Sequence, residues 1–298
     1  MPGRGEALAP LGAASLWGGM YVVSKWGFAA VPPVTLAFLR VFVGGIALAV
    51  LLRVTTPRRS FSRAEWRSFA MLGVWIAVTL LTQFVGTDLT NASQGSLLTV
   101  LTPVFTLLLG IALLGESLSG RKIGGVALAA VGTVLVLAGQ YDLAAIGAAN
   151  SIGIGALLVA SFGWAAYTVY GAPLVRRYSA LETATYSTLL AMPIMALAAV
   201  VELVSLGSGP GSIPVTAGVV GAVLYLGLGS TALAWYLWYR GIEHFEAGVV
   251  AAFFFIQPVV GSVLGVVFLG ESLGPLFAIG GVVMAGGVYM ASTVTESI

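Results

Sequence analysis

In a chain of 298 residues, 59% are apolar and only 8% are charged, and the mean hydropathy is +1.03. Soluble domains are about half apolar and about a quarter charged, so a water-filled surroundings is excluded for most of this chain and lipid is the expected solvent. The net charge of +2 does not indicate nucleic acid, and the lack of cysteine excludes a disulfide framework and a thiolate metal site.

Apolar runs of the length that a membrane-crossing helix needs follow one another along the whole sequence. The first, 8–29, carries Trp17, Tyr21 and Lys25 at intervals of four, on one helical face. It is long enough to span, so no cleavable leader is expected. The second, 33–53, holds Arg40 and ends before Pro57-Arg58-Arg59. Leu48 in it is read as lipid-facing. The third, 67–87, contains Gln83, and the fourth, 92–114, contains Gln94 and, near its middle, Pro103. After the turn Gly115-Glu116-Ser117 comes the fifth run, 121–139. The sixth, 151–173, carries Trp164 and Tyr167, and the seventh covers 181–205. The eighth, 214–239, presents Tyr225, Ala232, Trp235 and Tyr239 on one stripe. The ninth, 247–269, contains Gln257 and Pro258, and the tenth covers 274–293.

Basic residues orient this pattern. Of 13 Lys and Arg, all but Lys25 and Arg40 fall at the N-terminus or at even-numbered connections. The tendency of cytoplasmic loops to be basic then places both termini in the cytoplasm.

The chain also repeats itself. Pro103-Val-Phe-Thr-Leu-Leu-Leu-Gly-Ile-Ala-Leu-Leu-Gly-Glu-Ser-Leu118 matches Pro258-Val-Val-Gly-Ser-Val-Leu-Gly-Val-Val-Phe-Leu-Gly-Glu-Ser-Leu273, with Gly-Gly-Val following each block. Gly86 and Ala92 have counterparts in Gly241 and Ala247, and Trp17-Gly18 matches Trp164-Ala165. Halves of five runs each, 1–145 and 146–298, would lie in opposite orientations. That is the architecture of alternating-access secondary transporters, with binding near the midplane between the halves. The fold class expected is an all-α integral membrane protein of ten transmembrane helices, a 5+5 inverted repeat.

A Trp-Gly in the first run, an Arg in the second and the repeated Pro…Gly-Glu-Ser-Leu…Gly-Gly resemble the EamA branch of the drug/metabolite transporter superfamily, over nearly the whole chain. Within it the sequence is most similar to the YddG-type exporters of aromatic and other neutral amino acids. The resemblance implies a multi-pass protein of the bacterial inner membrane that moves a small-molecule substrate, with no cofactor. The expected unit is a monomer in the lipid bilayer.

The candidate substrate-binding residues are Trp17, Tyr21, Lys25, Arg40, Gln83, Trp164, Tyr167, Trp235 and Tyr239. Aromatic side chains in spans either anchor at the interfaces or line a cavity. Arg40 either pairs with Asp88 or a helix end, or clamps a substrate carboxylate, because a charge inside a span is costly without a partner. Pro103 and Pro258 are candidate hinges, or static bends that aid packing. Glu116 and Glu271 are expected to cap or pair within the repeated turns. His244, the one histidine, lies in the connection before the ninth run and either has a proton-linked role or is a solvated loop residue. Efflux of aromatic cations or transport of another small metabolite is the alternative cargo. An intramembrane enzyme fits poorly, since His-Glu-x-x-His and Gly-x-Ser-x-Gly are both absent.

Overall fold

The computed structural model describes residues 6–90, 101–117, 119–138, 151–269 and 274–292. Gln94, Ala92, Glu271 and the side chain of Lys25 lie outside the described parts. Among the described residues the secondary structure is helical throughout. The helices are α1 (Leu8–Phe28), α2 (Pro33–Thr55) and α3 (Arg63–Leu89), then α4 (Leu101–Leu109, continued by a π turn at Gly110–Leu114) and α5 (Gly120–Ala138). They are followed by α6 (Ser151–Arg177), α7 (Ala180–Ser205) and α8, which runs from Ala217–Leu224 through a π segment at Tyr225–Leu233 to Ala234–His244. The last two are α9 (Ala247–Ala251, a 3-10 turn at Ala252–Phe255, then Ile256–Leu269) and α10 (Pro275–Ser292). Five of them, α2, α3, α6, α7 and α8, are each long and apolar enough to cross a membrane, and shorter apolar helices accompany them.

Differences from the predicted runs have local causes. α3 begins at Arg63 rather than 67 because Ser62 and Glu65 form a capping box: the Glu65 N–H donates to Ser62 Oγ at 3.3 Å, and the Ser62 N–H donates to Glu65 Oε2 at 2.6 Å. α8 continues to His244, where Arg240 pairs with Glu243 one turn on. His244 therefore sits in the last helical turn, with Nε2 3.3 Å from Glu6, rather than in a solvated connection. Leu48 is also buried, at 1% exposure, so the expectation that it faces lipid is corrected. Apolar composition does not separate a lipid-facing side from a helix-facing one, because both are equally apolar.

The helices pack in a pattern that relates the two parts of the chain. α1 packs on α8 and α9, α2 on α7 and α8, α3 on α6 and α7, α4 on α6 and α9, and α5 on α10. Exchanging each helix with the one five places along maps these pairs onto one another, while a lighter contact of α5 with α9 has no comparable counterpart between α10 and α4 among the described residues. Backbone closeness sustains the α5–α10 pair. A Cβ added at Gly132 would lie 2.4 Å from the Met284 nitrogen, and one at Gly287 would lie 2.3 Å from that of Ala129. Small residues allow such approach, which supplies helix association where lipid removes the hydrophobic drive.

Candidate substrate-binding site

The stripes on α1, α6 and α8 converge. Trp17 and Trp164, counterparts in the internal repeat, lie with ring centroids 5.2 Å apart. Trp164 makes an edge contact with Trp235 at 6.1 Å, and Tyr167 lies 5.9 Å from Trp235 and 5.0 Å from Tyr239. Two rings that the sequence pattern did not single out complete the cluster. Phe254 stacks on Trp17 at 5.3 Å, and Trp238 packs on Phe254 at 4.6 Å. Trp238 follows Trp235 by one helical turn, a spacing that could have flagged it. Phe254 reaches the cluster from the 3-10 turn of α9, which apolar periodicity does not reveal. All of these side chains are buried, with exposures of 4% or less.

Their polar atoms are tied into a network. Trp164 Nε1 donates to Gln83 Oε1 at 3.2 Å, and Gln83 Nε2 donates to the Tyr21 hydroxyl at 3.2 Å. Trp238 Nε1 donates to Thr168 Oγ1 at 3.1 Å. Tyr239 donates its hydroxyl hydrogen to the Tyr167 carbonyl at 3.3 Å. Trp235 Nε1 and Gln257 Nε2 are buried donors without a hydrogen-bond acceptor among the described residues. Buried donors are normally satisfied, so these two mark places where a bound polar group would be stabilised.

Arg40 joins this cluster through the distorted middle of α8. The Ala234 N–H reaches back to the carbonyls of Gly229 and Thr231 and passes over that of Ser230. The freed Ser230 carbonyl accepts from Trp17 Nε1 at 2.9 Å and from Arg40 Nη2 at 2.9 Å. Thr231 Oγ1 donates to the Leu226 carbonyl five residues back and accepts from Arg40 Nε at 2.9 Å. The remaining arm, Nη1, has the thioether of Met20, at 2.7 Å, as its hydrogen-bond partner among the described residues, and the guanidinium lies over the Phe84 ring at 5.6 Å. A thioether is a weak acceptor. Arg40 is wholly buried, and no carboxylate among the described residues pairs with it. Asp88, the expected partner, is exposed near the end of α3. A buried cation without a counter-ion inside a span is a candidate functional group.

Eight of the nine candidate residues thus fall in one connected, buried set. Lys25 is the exception, its side chain lying outside the described parts. The rings fill most of the space between them. Beside Tyr21 and Gln83 there remains a cavity of about 10 Å³, bordered also by Met20, Ser24, Phe28, Phe84 and Thr87, close to the minimum that holds one water.

Pro103 and Pro258 lie buried in α4 and α9, outside the ring cluster. Beside Pro258 the helix narrows to the 3-10 turn at Ala252–Phe255, and the Ile256 N–H turns to the carbonyls of Phe253 and Phe254. A tie joins the same two helices: Glu116, after α4, accepts from the Ala247 N–H at 2.7 Å and the Gly248 N–H at 3.2 Å, capping α9. Lys122 Nζ, 1% exposed, lies 3.2 Å from Glu116 Oε2 and 2.5 Å from Glu246 Oε2. The expected structural role of Glu116 is therefore seen.

Known proteins align with this arrangement along its length. The sequence profile described as the EamA-like transporter family matches twice, at residues 4–138 and 151–293. An uncharacterized transporter of Archaeoglobus fulgidus is 26% identical over 283 residues, which cover 93% of each chain. A "probable amino-acid metabolite efflux pump" of Salmonella typhimurium is 24% identical over 285 residues, covering 92% of this chain and 90% of that one. A crystal structure at 22% identity superposes with a TM-score of 0.80 over 98% of this chain and 99% of the other, which shows a shared fold.

Proposed function

Because the chain belongs to the EamA-like transporter family and is a multi-pass membrane transporter, we propose that it exports aromatic or other neutral amino acids by alternating access. In this reading it crosses the plasma membrane ten times, with both termini cytoplasmic and the halves 1–145 and 146–298 inverted relative to each other. Cargo binds between the halves, where Trp17 meets its counterpart Trp164.

One observation carries the reading. Arg40 is a buried guanidinium with no acidic partner among the described residues, linked to the aromatic cluster through the Ser230 carbonyl. A carboxylate can supply the charge that the protein withholds, and charge-assisted bonds of this kind are the strong ones. The rings offer faces to an aromatic or aliphatic side chain, and Trp235 Nε1 and Gln257 Nε2 offer donors. An amino acid combines both chemistries. The closed packing fits an occluded stage of the cycle, which must open for cargo to reach the rings. Aromatic cations, the other cargo considered, would meet Arg40 as a like charge.

The test is export from proteoliposomes preloaded with a panel of solutes. Phenylalanine, tyrosine and leucine should leave in a protein-dependent manner, and a sugar phosphate and a planar aromatic cation should not. Export of the cation with retention of the amino acids would replace this reading with the drug-efflux alternative.

A further inference from the structure

At the end of the helices where α2 finishes and α7 begins, a cleft of about 390 Å³ lies between these two helices. Its mouth carries Arg53, Arg58 and Arg59 against a single carboxylate, Glu182. Arg59 is held in place: its guanidinium lies 3.6 Å from Glu182 and over the Tyr178 ring at 5.5 Å. Arg53 and Arg58 are exposed and have no acidic partner among the described residues. Leu52 and Leu189 form an apolar wall to the same cleft. On the outer side of α2 the exposed residues next to it are Val50 and Val54, at 58% and 74% exposure, apolar surfaces that acyl chains suit. Across the Trp66–Tyr186 ring contact, at 5.3 Å, a neighbouring hollow adds Arg63 and Arg67 to the rim.

We propose that the α2–α7 cleft is a binding site for an anionic phospholipid, its phosphate held by Arg53, Arg58 and Arg59 and its acyl chains lying along Leu52 and Leu189. Basic pockets between membrane helices recognise anionic headgroups by this combination of charge and apolar wall. A soluble phosphate would use the charge alone, and a zwitterionic lipid the wall without the charge surplus. The inference is independent of the cargo and of Arg40.

The test is a titration of the purified full chain in detergent, followed by native mass spectrometry, with phosphatidylglycerol, phosphatidylcholine and inorganic phosphate as separate arms. Phosphatidylglycerol should be retained in preference to phosphatidylcholine, and inorganic phosphate should not displace it. Arg53→Gln and Arg58→Gln should each weaken its retention roughly fivefold. Arg176→Gln, the same charge change at an exposed position outside the cleft, should leave retention unchanged. Equal weakening by Arg176→Gln would reduce the effect to general surface charge and overturn the site. Equal retention of phosphatidylcholine, or displacement by phosphate, would also overturn it.

Discussion

Three of the four tryptophans of the cluster, Trp17, Trp164 and Trp238, do two jobs that substitution can separate. Trp17 fills space against three rings and donates to the Ser230 carbonyl. Removing the whole side chain should destabilise by about 3–5 kcal/mol. Trp17→Phe keeps most of the packing and loses one hydrogen bond, about 1 kcal/mol. Trp235 differs, because its Nε1 has no acceptor among the described residues. Trp235→Phe should therefore cost only the packing of the lost ring, with no hydrogen bond given up, and still slow export if that donor meets cargo. The measurement is transport rate per folded molecule for Trp17→Phe, Trp164→Phe and Trp235→Phe, with Val50→Ala on the lipid side as control. If all three match the control, the cluster is core and nothing more.

At the scale of the helices, distortion is concentrated where the two halves meet. The π segment of α8 frees the Ser230 carbonyl for Trp17 and Arg40, and π turns recur at functional positions. In α9 the 3-10 turn precedes Pro258 and delivers Phe254 to the rings. Pro103 occupies the matching place in α4. If the two prolines permit bending between states, Pro103→Ala with Pro258→Ala should slow export severalfold while folded yield stays level or rises, because a backbone hydrogen bond is restored. An unchanged rate in the double variant would make them packing features.

The same scale shows what could be read in advance and what could not. Helix positions were legible because membrane spans are bounded by charge and Gly/Pro, as at Gly115-Glu116-Ser117 between α4 and α5. The stripe of Trp17 and Tyr21 was legible from its interval of four. The sharing of one carbonyl by Trp17 and Arg40 was not, since no residue type marks a π segment. Nor was the burial of Leu48, because a leucine suits lipid and helix neighbours alike. The partner of Glu116 was hidden for another reason: it is backbone, the first N–H groups of α9.

For the molecule as a whole, the main packing pairs between the halves map onto one another when the halves are exchanged, and this supports a two-fold relation between them. If the halves are inverted, the connections before and after a half must lie on opposite sides. Because the chain has no cysteine, single cysteines can report this without further substitution. A cysteine at Arg59 should react with an impermeant maleimide only from the cytoplasmic side, and one at Gly209 only from outside. Labelling of both from one side would rule out ten spans.

The central claim is that Arg40 binds the carboxylate of an amino acid whose side chain lies among the rings. It is tested most directly by comparing export of phenylalanine and phenylalaninamide by the unaltered protein and by Arg40→Met. A buried ion lacking a counter-ion gives up little stability when replaced by an apolar side chain of similar length, so the variant should fold. The account predicts that the unaltered protein exports phenylalanine and not the amide, and that Arg40→Met loses at least about tenfold in phenylalanine export per folded molecule. Export of phenylalanine by Arg40→Met at the unaltered rate would contradict it.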